Sequence, residues 1–220
     1  MKTQSRNLPC HRTIVAVDIE ASTTRNNSTK AVLRNAMYDL VEEALHAGGI
    51  SRRHRDRFID RGDGILILVH PADRAPKAVL LNPIIPTLNR LLATHNVHHP
   101  NHQFRLRAVV HAGEVHYDRR GCFGEALDVA FRLLDAPEVK AKLCGTIAPL
   151  VLVVSDDIFQ TVVRQGYDGV NDHTFEPLVH LQIADRNHSG WVHLPTRLPD
   201  STPAPQIRRG YRGSSFPRSA

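Results

Sequence analysis

Thr13-Ile14-Val15-Ala16-Val17-Asp18-Ile19 is the stretch on which the reading of this chain turns. A short β-branched apolar run between polar segments is a buried strand. It carries a carboxylate, Asp18, near its end and runs into a polar turn, Glu20-Ala21-Ser22-Thr23-Thr24. Beyond the turn, Lys30–Ala47 places Val32, Ala36, Leu40 and Ala44 at helical spacing, and Gly48-Gly49 stops that helix. Ile50–Asp60 is charged and is predicted as an exposed strand. Arg61-Gly62-Asp63-Gly64 is a turn, and Ile65–Val69 a strongly apolar strand, so these segments form a hairpin. From Pro71 to His95 the pattern is helical but interrupted by Pro76, Pro83 and Pro86, which predicts a kinked or broken helix.

Phe104–His111 is a strand that continues through Glu114–Tyr117. The order to this point is β-α-β-β-α-β, the ferredoxin-like arrangement of a sheet with helices on one face. Phe123–Leu134 is a helix with Ala126, Leu127, Ala130, Leu133 and Leu134 on one side. Leu150–Ser155 is a buried strand, Asp156–Arg164 a short helix, and Thr174–Ala184 and Gly190–His193 two closing strands. The fold class is therefore α/β (α+β), a ferredoxin-like core with additional C-terminal strands and a helix. Residues 1–11 form an N-terminal tail, 12–196 the domain, and 197–220, rich in Ser, Pro, Gly and Arg, a tail that cannot bury apolar surface.

At 220 residues with 41% hydrophobic content, the chain is one domain with a real core. No run approaches the ~18 apolar residues of a membrane helix, and the N-terminus lacks the apolar stretch of a signal peptide. The expected location is the cytoplasm. Cys10, Cys122 and Cys144 are odd in number and widely spaced, which supports neither a disulfide framework nor a thiolate zinc site. The net charge of +6 resides in the tails: residues 1–12 carry +3 and residues 197–220 carry +4, leaving the domain at −1. Basic tails on a near-neutral domain are no sign of sequence-specific nucleic-acid binding.

Asp18 at the end of the first strand and Asp63 at the hairpin tip are neighbours in a ferredoxin-like sheet. Paired carboxylates at strand ends suit Mg²⁺, a hard ion that takes oxygen ligands and fills its shell with substrate phosphates. The turn after Asp18 leads into a helix, where backbone N–H groups can hold a triphosphate. The structural alternative is that both aspartates are ordinary turn or cap residues.

Four segments together resemble the catalytic domain of the class III nucleotidyl cyclases, the adenylate and guanylate cyclase family, as a divergent bacterial member. Val17-Asp18-Ile19 with Ser22-Thr23 is similar to the family's first metal motif, and Gly62-Asp63-Gly64 to its second. Arg107-Ala108-Val109-Val110-His111-Ala112-Gly113-Glu114-Val115 is similar to its Gly-terminated strand, and Phe123–Leu133 to its catalytic helix. The resemblance runs from about Thr13 to Pro195. It implies two Mg²⁺ or Mn²⁺ ions held by Asp18, Asp63 and the carbonyl of Ile19, and a nucleoside triphosphate as substrate. It further implies attack of the ribose 3′-hydroxyl on the α-phosphate with loss of pyrophosphate. On this resemblance Arg107 binds the triphosphate and Arg132 stabilises the transition state, tasks that suit the guanidinium fork. A homodimer is implied, with two equivalent sites shared across the interface.

Three positions depart from the family. The purine-reading Lys is Ile59, the second base-reading position is Gly121, and the ribose-orienting Asn is Asp128, which accepts but cannot donate and adds negative charge. The metal and phosphate machinery is thus retained without the base-reading pair. This fits an enzyme for another base, such as a pyrimidine, or one that reads the base through backbone contacts. It also fits a cyclase-like module that has lost catalysis and keeps dimerisation or nucleotide sensing. The family's late phosphate-binding Lys falls near Arg186 and His188, with no clear assignment.

The histidines of His95-Asn96-Val97-His98-His99-Pro100-Asn101-His102 read as a solvated loop rather than a zinc site. His111 is a structural position, and Cys122 a packed small hydrophobe rather than a reactive thiol. The Gly-Gly-Asp/Glu-Glu-Phe turn of diguanylate cyclases, a Gly-x-Ser-x-Gly elbow and a P-loop are all missing.

Overall fold

The computed structural model describes residues 8–167 and 169–195. The C-terminal tail and most of the N-terminal one lie outside them. β1 (Cys10–Ile19) starts earlier than the apolar run, because the polar Cys10–Arg12 segment pairs with Gly113–Val115. The predicted N-terminal tail is shortened accordingly.

β1 is followed by α1 (Asn27–Ala47), the hairpin β2 (Ile59–Asp60) and β3 (Gly64–Val69), and a broken helical stretch of α2 (Lys77–Val79) and α3 (Ile85–His98). Then come β4 (Leu106–Tyr117), β5 (Cys122–Phe123), α4 (Glu125–Leu134) and α5 (Pro137–Cys144). β6 (Leu150–Ser155), α6 (Asp156–Ile158), β7 (Phe175–Ile183) and β8 (Arg186–His193) complete the domain. The sheet order is β2-β3-β1-β4-β6-β8-β7, with β5 paired to β4. Its first four strands have the ferredoxin-like order. β4 and β6 are parallel, and α4 and α5 lie in the crossover that parallel pairing requires.

Helices cover both faces of the sheet, not one as the sequence order suggested. Val15, Val17 and Ile19 of β1 pack beneath α1 and α3, while Ile14 and Ala16 pack beneath α4 and α5. The apolar residues of TIVAVDI point both ways because both faces are buried. Gly113 permits the second layer: a Cβ there would come within 2.6 Å of Ala126 Cβ on α4.

Several local expectations are corrected. α1 begins at Asn27, where the Asn26 side chain accepts the Thr29 N–H as a cap. Its buried stripe is Leu33, Met37, Val41 and Leu45, one residue on from the predicted face, with Ala44 buried in both, and Val32 is exposed. Both stripes are apolar, and the bulkier one took the core. Ile50–Asp60 is not a continuous exposed strand: Ile50 and Arg55 are buried, Arg55 makes a single bridge to Val69, and only Ile59–Asp60 forms a strand. Arg55 is held by Glu42 and lies over the Phe58 ring. The helical stretch breaks at Asn82, whose extended backbone is what the following Pro83 favours. α4 begins at Glu125 because Cys122-Phe123 pairs with His116-Tyr117. His95 and His98 belong to α3 rather than to a loop.

Candidate active site

β1 sits between β3 and β4 with Asp18 opposite Gly64 on one side and Arg107 on the other. Gly64 allows the hairpin to close on β1, since a Cβ there would lie 2.6 Å from the Val17 carbonyl oxygen. Asp63 is thereby brought beside Asp18. The Ile19 N–H donates to the Asp63 carbonyl at 3.0 Å, and Ser22 Oγ donates to Asp63 Oδ2. Arg34 of α1 grips the hairpin from the far side by donating to Asp60 (Oδ1 at 2.6 Å) and to the Gly62 carbonyl.

Asp18 and Arg107 form a two-bond pair, with Nε to Oδ1 at 2.9 Å and Nη2 to Oδ2 at 2.8 Å. Burial pushes the Asp18 carboxyl up to about 6, Arg107 pulls it down, and the charges of Asp63 and Asp135 push it up again. A second pair repeats the pattern nearby. Glu20 receives Arg105 Nε at 2.6 Å and Nη2 at 2.7 Å. Arg105 Nη1 also donates to the carbonyls of Leu143 and Thr146. The turn carrying Ser22 is thus tied to the last turn of α5 and the segment after it.

Among the described residues no cluster of three or more His, Cys, Asp or Glu side chains forms a metal cage. Asp18 and Asp63 supply carboxylate oxygens only, the donor set of an ion completed by substrate phosphates. Arg107 occupies one lone pair on each Asp18 oxygen and leaves a second on each. Burial is the main cause of the raised Asp18 carboxyl and the Asp63 charge adds to it; a cation between the two carboxylates would offset both, so the residues fit a divalent ion.

One cavity adjoins this centre through Asp63, and a second shares Arg61 with it. The first, of about 380 Å³, is lined by Ser22, Thr23, Arg25, Lys30, Arg61 and Asp63. The other, of about 940 Å³, brings together Ile59, Gly121 and Asp128 with Arg57, Arg120 and Phe131. Arg61 lines both, its guanidinium over the Phe131 ring at 4.1 Å from the centroid. Asp128 and Arg132 lie one turn apart on α4, both exposed.

The cations Arg25, Lys30 and Arg61 escaped the sequence reading, although Arg25 and Lys30 follow Ser22-Thr23 closely. Arg107, expected on the triphosphate, is the partner of Asp18. Arg186 pairs with Glu125 at 3.4 Å. Burial raises the Cys122 thiol, the behaviour of a packed residue.

No protein-family model matches the sequence, and no curated protein matches it. Solved structures do. A TM-score of 0.59 relates the chain to an adenylate/guanylate cyclase/hydrolase from Silicibacter pomeroyi at 18% identity, covering 86% of this chain and 98% of that one. The fold is that of a class III nucleotidyl cyclase catalytic domain. The adenylyl cyclase CyaB from P. aeruginosa aligns with a TM-score of 0.59 at 9% identity, over 86% of this chain and 96% of its own. The guanylyl cyclase Cya2 aligns with a TM-score of 0.57 at 14% identity, over 84% and 92%. The cyclase-fold core thus spans β1 to β8. No described helix is long and apolar enough to cross a membrane.

Proposed function

We propose that this cyclase-fold domain is a divalent-cation-dependent nucleotidyl cyclase, converting a nucleoside triphosphate to a 3′,5′-cyclic nucleotide and pyrophosphate as a cytoplasmic homodimer. The observation that carries the reading is the convergence of Asp18 and Asp63 beside a cavity lined by Ser22, Thr23, Arg25, Lys30 and Arg61. Asp18, Asp63 and the Ile19 carbonyl would hold Mg²⁺ or Mn²⁺, which when bound supplies charge neutralisation on the phosphates and acidifies the ribose hydroxyl. Arg25, Lys30 and Arg61 bind the triphosphate oxygens. Arg107 holds Asp18 in place and keeps it ionised at neutral pH, a positioning task in place of the direct phosphate contact implied by the resemblance.

Asp128 and Arg132 stand exposed on α4, as residues serving a site completed by a second copy would. Arg132 donates to the α-phosphate oxygens as the hydroxyl attacks, and Asp128 accepts from a ribose hydroxyl. The P–O bond to the β-phosphate breaks and pyrophosphate departs in line.

Pyrophosphate release from ATP, GTP, CTP and UTP with Mn²⁺ or Mg²⁺ tests this. Release from at least one nucleotide, abolished by a chelator and by Asp63→Ala, is expected. No release from any of them sinks the reading. The pairing of Arg107 with both Asp18 oxygens favours a second reading, a non-catalytic module for dimerisation or nucleotide sensing.

A further inference from the structure

The larger cavity has an uneven supply of hydrogen-bonding groups. Its carboxylates are mostly engaged. Asp56 accepts from His70 at 2.8 Å through Oδ1 and from Tyr117 at 2.7 Å through Oδ2. Asp118 caps its own turn by accepting the N–H groups of Arg120 and Gly121. Glu125 pairs with Arg186. Arg61 is engaged, stacked over the Phe131 ring, but the other two arginines of the lining are not. Arg57 and Arg120 are exposed, and neither side chain has an ion pair or hydrogen-bond partner among the described residues. Ile59, between Arg57 and Arg61 in sequence, lines the same cavity. Gly121 offers no side chain, and a Cβ there would meet nothing within 4 Å. The remaining wall is apolar, with Leu66, Leu127 and Phe131, which suits a planar ring better than a phosphate chain.

Resting on the nucleotide-binding reading above, we propose that Arg57 and Arg120 determine base specificity by donating to two adjacent acceptors on the base. A guanidinium offers N–H pairs in a plane and accepts nothing. Guanine presents O6 and N7 as neighbouring acceptors, whereas adenine sets a donor beside N7. Cytosine presents O2 and N3 as neighbouring acceptors, whereas uracil interposes N3–H between its oxygens. The substrate is therefore a guanine or cytosine nucleotide, not an adenine or uracil one.

Calorimetric titration of the full chain with the four uncleavable α,β-methylene triphosphates, and separately with tripolyphosphate, tests this without turnover. The guanine analogue, the cytosine analogue or both are expected to bind about ten-fold more tightly than the adenine and uracil ones, the worth of one bidentate pair. Which of the two binds identifies the base. Arg57→Lys and Arg120→Gln are expected to erase the preference and leave tripolyphosphate binding unchanged, with circular dichroism confirming the fold. Preference for adenine or uracil, or a preference that survives both substitutions, overturns the proposal. Tripolyphosphate binding with no base preference overturns it and leaves the cyclase reading standing. Failure to bind any analogue or tripolyphosphate overturns both.

Discussion

Asp18 on β1 and Arg107 on β4 are cross-strand neighbours whose side chains meet in two parallel hydrogen bonds of 2.9 and 2.8 Å. Both are largely buried, at 18% and 11% side-chain exposure. Removing one partner strands the other. Arg107→Ala is expected to cost roughly 2 kcal/mol at pH 7.5, below the usual penalty for a broken buried pair because Asp18 can take up a proton. The cost shrinks at pH 5, where a carboxyl with its pKa near 6 is already mostly protonated in the parent. Urea unfolding at the two pH values measures both.

The Glu20–Arg105 pair is expected to act on both the turn and the fold. Glu20→Gln and Arg105→Gln should each lower turnover several-fold and lower the melting temperature, Arg105→Gln more, because it also gives up the Leu143 and Thr146 carbonyls. In turnover the double variant should be little worse than either single one, because the two groups act as a unit. Steady-state kinetics on the three variants gives the coupling.

His111 supplies a pH dependence independent of the acidic centre. Its Nδ1 lies 2.8 Å from Ser155 Oγ, and burial pushes the ring down to about 4. Its folded pKa lies below the unfolded value near 6.5, so the unfolded chain binds more protons between the two. Its contribution is complete above pH 6.5 and is lost as pH falls to about 4, on the order of 3 kcal/mol. Asp18 works oppositely: its raised pKa makes stability fall as pH rises from about 4 to 6. The comparison of parent with His111→Gln by urea unfolding isolates the histidine term, and the variant should lose less stability on acidification.

The orientation of α1 can be tested directly. Met37→Ala, at 0% exposure, is expected to cost about 2–5 kcal/mol, and Val32→Ala, at 42%, within about 0.5 kcal/mol. Denaturant midpoints of the two variants decide it.

Asp128 places a carboxylate where the resemblance implies an amide. Asp128→Asn removes negative charge from the triphosphate's surroundings and is expected to tighten nucleotide binding several-fold. Calorimetry against the parent checks the sign.

Strands were legible in the sequence wherever burial on both faces wrote a continuous apolar run, as in TIVAVDI and LVLVVS. The cap at Asn26 and the true face of α1 were not, because two adjacent stripes of that helix are apolar and only packing chooses between them. The second helical layer was missed as a layer for a related reason: the strand pattern of a doubly covered sheet carries no alternation to say so. The proximity of Asp18 and Asp63 is legible from their place at strand ends. The pairing of Arg107 with Asp18 is not, since it depends on the antiparallel register of β1 with β4. Arg57, Arg61 and Arg120 belong to no shared motif in the sequence, and only the fold gathers them around one cavity.

A cyclase site shared between two copies can be tested by one complementation experiment. Parent, Asp63→Ala, Arg132→Ala and a refolded equimolar mixture of the two variants would be incubated with the four triphosphates and Mn²⁺, and the products read by mass spectrometry. The expected result is a 3′,5′-cyclic nucleotide from the parent and none from either variant. The mixture should regain about a quarter of parental activity, because half the dimers then hold one intact site of two. No cyclic product from the parent with any nucleotide, or undiminished product from Asp63→Ala, would contradict the account.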